Sequence, residues 1–564
     1  MHSGNFEKLY SIIQERILVL DGAMGTMIQA QLPRGDTLCN DLLCITKPEL
    51  IASIHKAYLE AGADIITSCS FNANAVSFGD YGFADRVYEI SRAAGSLARD
   101  AADEFSTPEK PRFAAGSMGP TSKSASIAQD INDPGRRSIG WDELEAAYYD
   151  NARGLLDGGV HLLLVETVFD TLNAKAAIAA IFRLREERNL RIPVIISASV
   201  SGNGRLLSGQ TIEAFAVSVS HVEPFSLGLN CSVGTEKIHP WLEALSAFAP
   251  FPVCCYPNAG LPDSSGVYGE GPKETAAFMK SFFEQGFLNI AGSCCGSTPA
   301  HIAAIAELAK NYPPRQIPRQ KQSYLSSLEL FPLPVTVSRD LICGGRTDTA
   351  GNKEFLGLIQ NNEWEDAAAL TAGTIEDAAG GIVEVCIDGA FLDGKEAKEA
   401  MVRFLNTALF DPEIARLPVM SGSSAWDILE AALKCLQGKS LVNFISLKEG
   451  EGEFLRRAAL IRRYGAVPVV MLFDQHFAQH SADADLTQSY ERSIEIADRS
   501  YRLLTGAGYP PEDIVLNPIG PDSFRVCSWI RENCPGVHIA EFTYSPINNC
   551  GSSLGLAGGI TGIP

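Results

Sequence analysis

Two patterns alternate along the first half of the chain. Short β-rich runs occur at 18–21, 64–68, 112–116, 161–166, 193–199, 225–230, 252–256 and 288–292, and they read as strands. Longer stretches between them, such as 48–61, 141–157, 171–187 and 273–285, place apolar residues at helical spacing. Strands that each lead into a helix, eight times over, predict a (β/α)8 barrel. Strand-like runs resume at 341–344, 381–386, 418–421, 441–446, 468–473, 513–516 and 537–543, with helical stretches such as 364–370, 426–436 and 492–504 between them. Between the halves, 311–335 mixes Pro313-Pro314, basic residues and a Leu/Pro-rich stretch, and reads as a linker. The fold class is therefore α/β, two TIM-type barrels in tandem over 5–310 and 336–564. After Thr543 the sequence runs into a Gly-rich tail, so the second barrel is expected to be incomplete at its C-terminus or to close with that tail.

Composition narrows the partners. The chain has 564 residues, 46% hydrophobic and 20% charged, enough for two large cores. A formal net charge of −21 argues against nucleic-acid or anionic-membrane partners. No apolar run is long enough to span a membrane, and residues 1–10 lack an apolar signal core. Fourteen cysteines without such a signal predict reduced thiols in a cytoplasmic protein.

The reactive residues then fall at strand ends. Cys231 ends the sixth expected strand, and Cys294 and Cys295 follow the eighth. Asp21-Gly22 follows the first, Glu166 ends the fourth and Asn258 follows the seventh. All lie on the C-terminal face, where barrel enzymes build their active sites. A lone vicinal cysteine pair is as readily a pair of small buried apolar side chains. Three thiolates converging on one face instead form a metal site with one open position, the arrangement of catalytic zinc.

A free thiol, with a pKa near ~8.5, is mostly protonated at neutral pH, whereas zinc deprotonates a coordinating thiol outright. An open fourth position would take a substrate thiol as thiolate, and four thiolates on Zn²⁺ keep the sulfur electron-rich. The reaction class is alkylation of a thiol, most simply methyl transfer. A carboxylate at Glu166, and one at Asp21, would suit a substrate ammonium group, although Asp-Gly after a strand also makes a tight turn.

The runs Asp21-Gly22-Ala23-Met24-Gly25-Thr26, Gly116-Ser117-Met118-Gly119-Pro120-Thr121, Val165-Glu166-Thr167, Gly228-Leu229-Asn230-Cys231, Pro257-Asn258-Ala259-Gly260 and Gly292-Ser293-Cys294-Cys295-Gly296 resemble the homocysteine S-methyltransferase family. The likeness is nearest to the homocysteine module of cobalamin-dependent methionine synthases. It implies zinc on Cys231, Cys294 and Cys295, with Asn258 filling the fourth position before substrate arrives. It also implies that Asp21, Gly22 and Glu166 hold homocysteine. After the second strand the family reads Thr-Asn-Thr-Phe where this chain has Ser68-Cys69-Ser70-Phe71, so Ser68 is expected to keep a hydroxyl at the substrate.

In the second half, the run 399–405, Asp411-Pro412-Glu413-Ile414-Ala415-Arg416 and the run 442–450 resemble the pterin-binding, folate-handling barrel of the same enzymes. The pocket departs from that pattern. Glu-Arg-Thr-Asn becomes Gly345-Arg346-Thr347-Asp348, and Asp-Ile-Asn becomes Glu384-Val385-Cys386. Ile-Asp-Ser-Ser becomes Ser421-Gly422-Ser423-Ser424, and Phe-Asp-Pro-Asn becomes Leu516-Asn517-Pro518-Ile519. Asn443 survives, with Asp474 nearby, as a remnant of the pterin site. Lost carboxylate acceptors make methyltetrahydrofolate binding doubtful, while Glu384, Asp348 and Asp388 offer a shifted acidic site.

The sequence thus predicts zinc-dependent methyl transfer to homocysteine, giving methionine. By resemblance the donor is methylcobalamin on a separate corrinoid protein, since no Asp-x-His-x-x-Gly cobalamin segment is present. One alternative donor is a small sulfonium or ammonium compound such as S-methylmethionine or betaine. Another is methyltetrahydrofolate itself, through full methionine-synthase half-reactions.

Overall fold

The computed structural model describes residues 3–32, 39–264, 266–319, 322–333, 343–349, 351–377, 381–388, 394–474, 490–518 and 522–540. They divide into two units, one formed by Met1–Ile127 with Ser138–Gln320, the other by Ala128–Arg137 with Lys321–Pro564. No helix among the described residues is long and apolar enough to cross a membrane.

The first unit holds eight parallel strands: β1 (Leu18–Val19), β2 (Ile65–Thr67), β3 (Phe113–Met118), β4 (Leu162–Val168), β5 (Val194–Ala198), β6 (Ser226–Cys231), β7 (Val253–Pro257) and β8 (Ile290–Ala291). Their order is β1-β8-β7-β6-β5-β4-β3-β2, and a parallel bridge from Leu20 to Ile65 closes the ring. Each of the eight sequence-predicted runs became a strand. Alternate residues, such as Phe113 and Ala115 or Leu162 and Leu164, face the interior. The helix Ser3–Glu15 contributes Leu9 and Ile13 to the same interior cluster, so the amphipathic N-terminus is part of the barrel core.

Few backbone bonds cross the seam between β1 and β2. Asp64 N–H donates to the Val19 carbonyl (2.7 Å) and Asp21 N–H to the Ile65 carbonyl (3.0 Å). The buried Asp64 carboxylate reinforces them, accepting from Arg16 Nη1 (2.7 Å), Arg16 Nη2 (2.9 Å) and the Val19 N–H (3.0 Å).

The second unit is a seven-stranded parallel sheet preceded by a hairpin. The hairpin pairs β9 (Tyr324–Ser326) with β10 (Leu330–Pro332). The sheet runs β11 (Cys343–Asp348), β12 (Ile382–Cys386), β13 (Val419–Gly422), β14 (Leu441–Leu447), β15 (Val467–Asp474), β16 (Val515–Asn517) and β17 (His538–Ile539), in sequence order. Among the described residues no eighth strand joins it, which fits an incomplete second barrel. Residues 541–564, including the end of the expected strand 537–543 and the Gly-rich tail, lie outside the described residues.

The stretch read as a linker carries structure of its own. Leu325 and Leu333 pack with Ile382, Met420, Leu441, Val467, Val469 and Val515 in the second core. Ser326 N–H donates to the Lys439 carbonyl (3.2 Å) and Lys439 N–H to Ser326 Oγ (2.9 Å). A Cβ at Gly438 would fall 1.9 Å from the Ser326 carbonyl oxygen, so this approach needs glycine. The hairpin escaped notice because its strands are three residues each and are joined by Ser327-Leu328-Glu329, which carries no Gly or Pro turn signal.

Replacing Asp64 by Ala should lower stability by roughly 3 kcal/mol, since it removes charge-assisted bonds and orphans the buried Val19 N–H. Arg16→Ala should cost less, because that side chain is 40% exposed. Urea unfolding of the full chain checks both; an unchanged midpoint for Asp64→Ala would mean that the backbone bonds alone hold the seam.

Candidate metal and substrate site

The three cysteines come together at the C-terminal ends of β6 and β8. The Sγ atoms of Cys231 and Cys295 are 3.9 Å apart, those of Cys294 and Cys295 are 4.0 Å apart, and all three lie within 4.8 Å of one another. Ligands at ~2.3 Å from a tetrahedral zinc are separated by about 3.8 Å. The trio therefore fits three vertices of such a site and leaves the fourth open.

Backbone conformation sets this spacing. Cys231 and Ser232 end β6 with φ of 54° and 66°, left-handed values uncommon for non-glycine residues. Cys294 N–H donates to the Pro257 carbonyl (2.7 Å), and Ser297 Oγ donates to the Cys294 carbonyl (2.7 Å). Cys295 N–H donates to Asn258 Oδ1 (3.1 Å). Gly296 turns the chain at φ 82°, and a Cβ there would strike the Tyr268 ring at 2.3 Å. Gly22 is equally confined, because a Cβ would lie 2.6 Å from Ser297 Oγ and 2.8 Å from the Tyr58 ring. Its φ is not left-handed, so close packing beneath the cysteine turn, and not a tight turn, demands glycine.

The thiols share charge unequally. Hydrogen bonds from Cys231 and Cys294 draw the Cys295 thiol down to about 3. Cys231, lowered by Cys294 but raised more by Cys295 and by burial, rises to about 11. Cys294 goes well up through its bonds to both partners and burial. One thiol drawn down by two neighbouring thiol donors is an arrangement that could hold a cation. The half-buried Tyr268 adds a hydrogen bond to Cys295.

Two carboxylates accompany the trio. Glu166 lies near the end of β4, accepting a short bond from Ser117 Oγ. Burial pushes its carboxyl up to about 7; the Cys295 charge adds to this, while the bond from Ser117 and the nearby Tyr256 hydroxyl oppose it. Asp21 follows β1, accepting from the Thr67 N–H (2.8 Å) and Thr67 Oγ1 (3.1 Å). Burial raises its carboxyl well above the usual range against those bonds, and the Glu166 charge contributes. Two acids held in a dry pocket with raised pKa values are suited to receive a cation.

Ser68, expected near the substrate, also takes part in a hydroxyl chain. Its hydroxyl bonds with Ser70 Oγ (2.7 Å) and accepts from the Ser117 N–H (2.9 Å). It thus supports Ser117, which in turn holds Glu166. Sequence reasoning passed over Ser117, Tyr256, Thr67 and Tyr268 as site residues. Ser117 and Tyr256 stood inside quoted motifs or runs, whereas nothing local marked Tyr268, which reaches the site from the loop after β7.

In the second unit, Glu384 on β12, Asp348 on β11 and Asn443 on β14 come together. Asn443 Nδ2 donates to Glu384 Oε1 (3.4 Å), and Asn443 Oδ1 is buried without a hydrogen-bond partner. Burial and the Asp348 charge push Glu384 up to about 7. Asp388 stands apart, accepting from the Ser424 N–H (3.1 Å) and Ser424 Oγ (2.7 Å). Asn517, oriented by its surroundings, donates to the carbonyls of Ala540 (2.9 Å) and Pro518 (3.2 Å). Gly422 presents no side chain where the family pattern has Asp. Asp474 ends β15, and its side chain lies outside the described residues.

Comparison with known proteins agrees with this division. Residues 344–520 match the pterin-binding enzyme family. Among solved structures, the homocysteine methyltransferase MmuM from Escherichia coli in its metallated form is 24% identical, covering 53% of this chain and 98% of its own at a TM-score of 0.42. Its oxidised form is 25% identical, covering 52% and 95% at a TM-score of 0.41. Residues 18–309, the whole of the first barrel from β1 onward, match the homocysteine S-methyltransferase family, and the chain belongs to that family.

Proposed function

We propose that the first barrel transfers a methyl group to the thiol of homocysteine, giving methionine, and that Cys231, Cys294 and Cys295 hold the zinc ion this requires. The observation that carries the reading is the trio of thiols at tetrahedral spacing beside two buried carboxylates. Bound there, zinc would supply a Lewis-acidic vertex at which the homocysteine thiol is held as thiolate. The chain's own residues do the rest. Glu166 and Asp21 accept hydrogen bonds from the homocysteine ammonium, and that cation favours their ionised forms against burial. Ser117 fixes the Glu166 carboxylate, with Ser68 behind it. Asn258 keeps Cys295 in place by accepting from the Cys295 backbone N–H.

The donor is read as a methyl-corrinoid on a separate protein. The pterin-binding segment behind the homocysteine barrel supports this, because the pairing resembles cobalamin-dependent methionine synthases. The surface supports it as well. Phe71, Leu207, Leu261 and Val267, on the loops after β2, β5 and β7, are 37%, 70%, 51% and 60% exposed. Large apolar side chains at the mouth of an otherwise acidic protein suit a macromolecular donor better than a small cationic one.

The second barrel is read as having lost ordinary methyltetrahydrofolate binding. Carboxylate acceptors are absent at Gly422 and Asn517, and the Asn517 amide is spent on backbone carbonyls. Two missing charge-assisted bonds weaken binding by roughly two to four orders of magnitude.

Zinc-loaded protein incubated anaerobically with homocysteine and methylcobalamin should form methionine as the corrinoid loses its methyl group, and a chelator should stop it. No turnover, with zinc bound, would exclude the corrinoid donor in this form. Cys231→Ala, Cys294→Ala and Cys295→Ala should each lose both zinc and activity; a variant that kept full activity would remove that residue from the site. Glu166→Gln should raise the homocysteine KM roughly ten- to hundredfold with zinc content unchanged. Loss of the metal instead would count against an ammonium-binding role. Calorimetric titration with methyltetrahydrofolate should detect no micromolar binding, and a micromolar dissociation constant would overturn the reading of the second barrel.

A further inference from the structure

Asn230 sits on β6 immediately before Cys231 and is fully buried. Its Oδ1 accepts from the Thr167 N–H (3.0 Å) and from Ser197 Oγ (2.7 Å), and its Nδ2 donates to Thr167 Oγ1 (2.8 Å). Thr167 directly follows Glu166 and holds a φ of 57°, while Cys231 holds 54°. A left-handed conformation is costly for a β-branched residue and persists only where neighbours enforce it. One buried amide therefore joins two enforced backbone positions. One follows the carboxylate proposed to take the substrate ammonium, and the other is a thiol proposed to bind the metal.

We propose that Asn230 is a positioning residue that fixes the span between the Glu166 carboxylate and the Cys231 thiolate, and so selects the length of the amino-acid thiol the site accepts. This rests on the ammonium role of Glu166 given above. A substrate anchored by its thiol at one end and its ammonium at the other is a strut. In a rigid span, a thiol one methylene too short leaves one anchor unmade, whereas a loosened span adapts to it. A single methylene is worth ~10- to 200-fold in selectivity where a pocket is well defined. The serine at 197 braces the same amide from β5, so the clamp runs across three adjacent strands.

The test measures dissociation constants for homocysteine and for cysteine on the zinc-loaded full chain by calorimetry, so that it does not depend on the methyl donor. In Asn230→Ala the preference for homocysteine over cysteine should fall about tenfold or more, with zinc still bound at one ion per chain. Thr167→Val keeps a β-branched side chain of the same shape and deletes only the hydroxyl partner; it should lose part of the preference. Thr167→Ser, which keeps the hydroxyl, should retain it. If Asn230→Ala does not fold, Thr167→Val decides. An unchanged homocysteine-to-cysteine ratio in Thr167→Val, or an equal weakening of both ligands in Asn230→Ala, would overturn the proposal. Glu166→Gln separates the two claims. If it leaves homocysteine binding untouched, the ammonium reading itself fails. If it weakens homocysteine while the ratio stays fixed in the Thr167→Val and Asn230→Ala proteins, only the positioning role fails.

Discussion

Three thiols within 4.8 Å of one another cannot all ionise without a cation between them, and this constraint organises the first barrel. Like charges at such separations repel by several kcal/mol at the effective dielectric of a protein site. Hydrogen bonds within the trio ease the conflict by drawing the Cys295 thiol down while the Cys231 thiol is pushed up. Holding that arrangement requires backbone that does not relax. The left-handed residues at Cys231 and Ser232, the glycine at 296 and the bonds from Cys294 and Cys295 to Pro257 and Asn258 provide it. Each of those groups sits at a strand end, so the spacing of sulfur atoms is inherited from barrel closure. Closure, in turn, depends on the seam that Asp64 bridges.

The carboxylates pose the opposite problem. Glu166 and Asp21 are buried and close enough for the Glu166 charge to raise the Asp21 carboxyl, yet they keep hydrogen-bond donors from Ser117 and Thr67. Such groups destabilise the empty protein, and they are tolerated where a cationic ligand compensates them. The serine chain from Ser70 through Ser68 to Ser117 shows how the site is supported from behind. Hydroxyls adapt by rotating, so they satisfy the carboxylate without adding charge. This also accounts for the departure after β2, where Ser68 and Ser70 stand in place of threonines and preserve the donors while reducing bulk.

Much of this was legible in the sequence because barrel strands are short, β-rich and regularly spaced, and because chemistry on this fold collects at strand ends. The cysteines, Glu166 and Asp21 could be located from those facts alone, with boundaries off by a residue or two. What escaped was everything whose meaning depends on distant contacts. Ser68 was read as a hydroxyl at the substrate, and only the structure adds its bonds to Ser70 and Ser117. Gly22 looked like a turn residue, although its confinement comes from Tyr58 and Ser297, the latter more than 270 positions away. Tyr268 carried no local signal at all. The hairpin at Tyr324–Ser326 and Leu330–Pro332 was hidden because its leucines earn their place only by packing on strands that follow much later.

The two barrels show that scaffold and site diverge separately. In the second unit the strand order, parallel pairing and apolar core are kept, since core positions need only the right volume and pattern. Its polar groups have instead turned toward the protein. Asn517 bonds to backbone carbonyls, Asp388 holds Ser424, and Gly422 offers nothing. What remains facing inward is Glu384 beside Asp348, with the unpartnered oxygen of Asn443. A carboxyl pushed up to about 7 by burial and by a neighbouring acid shares its proton readily, so this end of the sheet is acidic without being strongly charged. The first unit keeps buried carboxylates beside its three thiols, whereas in the second Asp388 is engaged by Ser424 and Glu384 by Asn443.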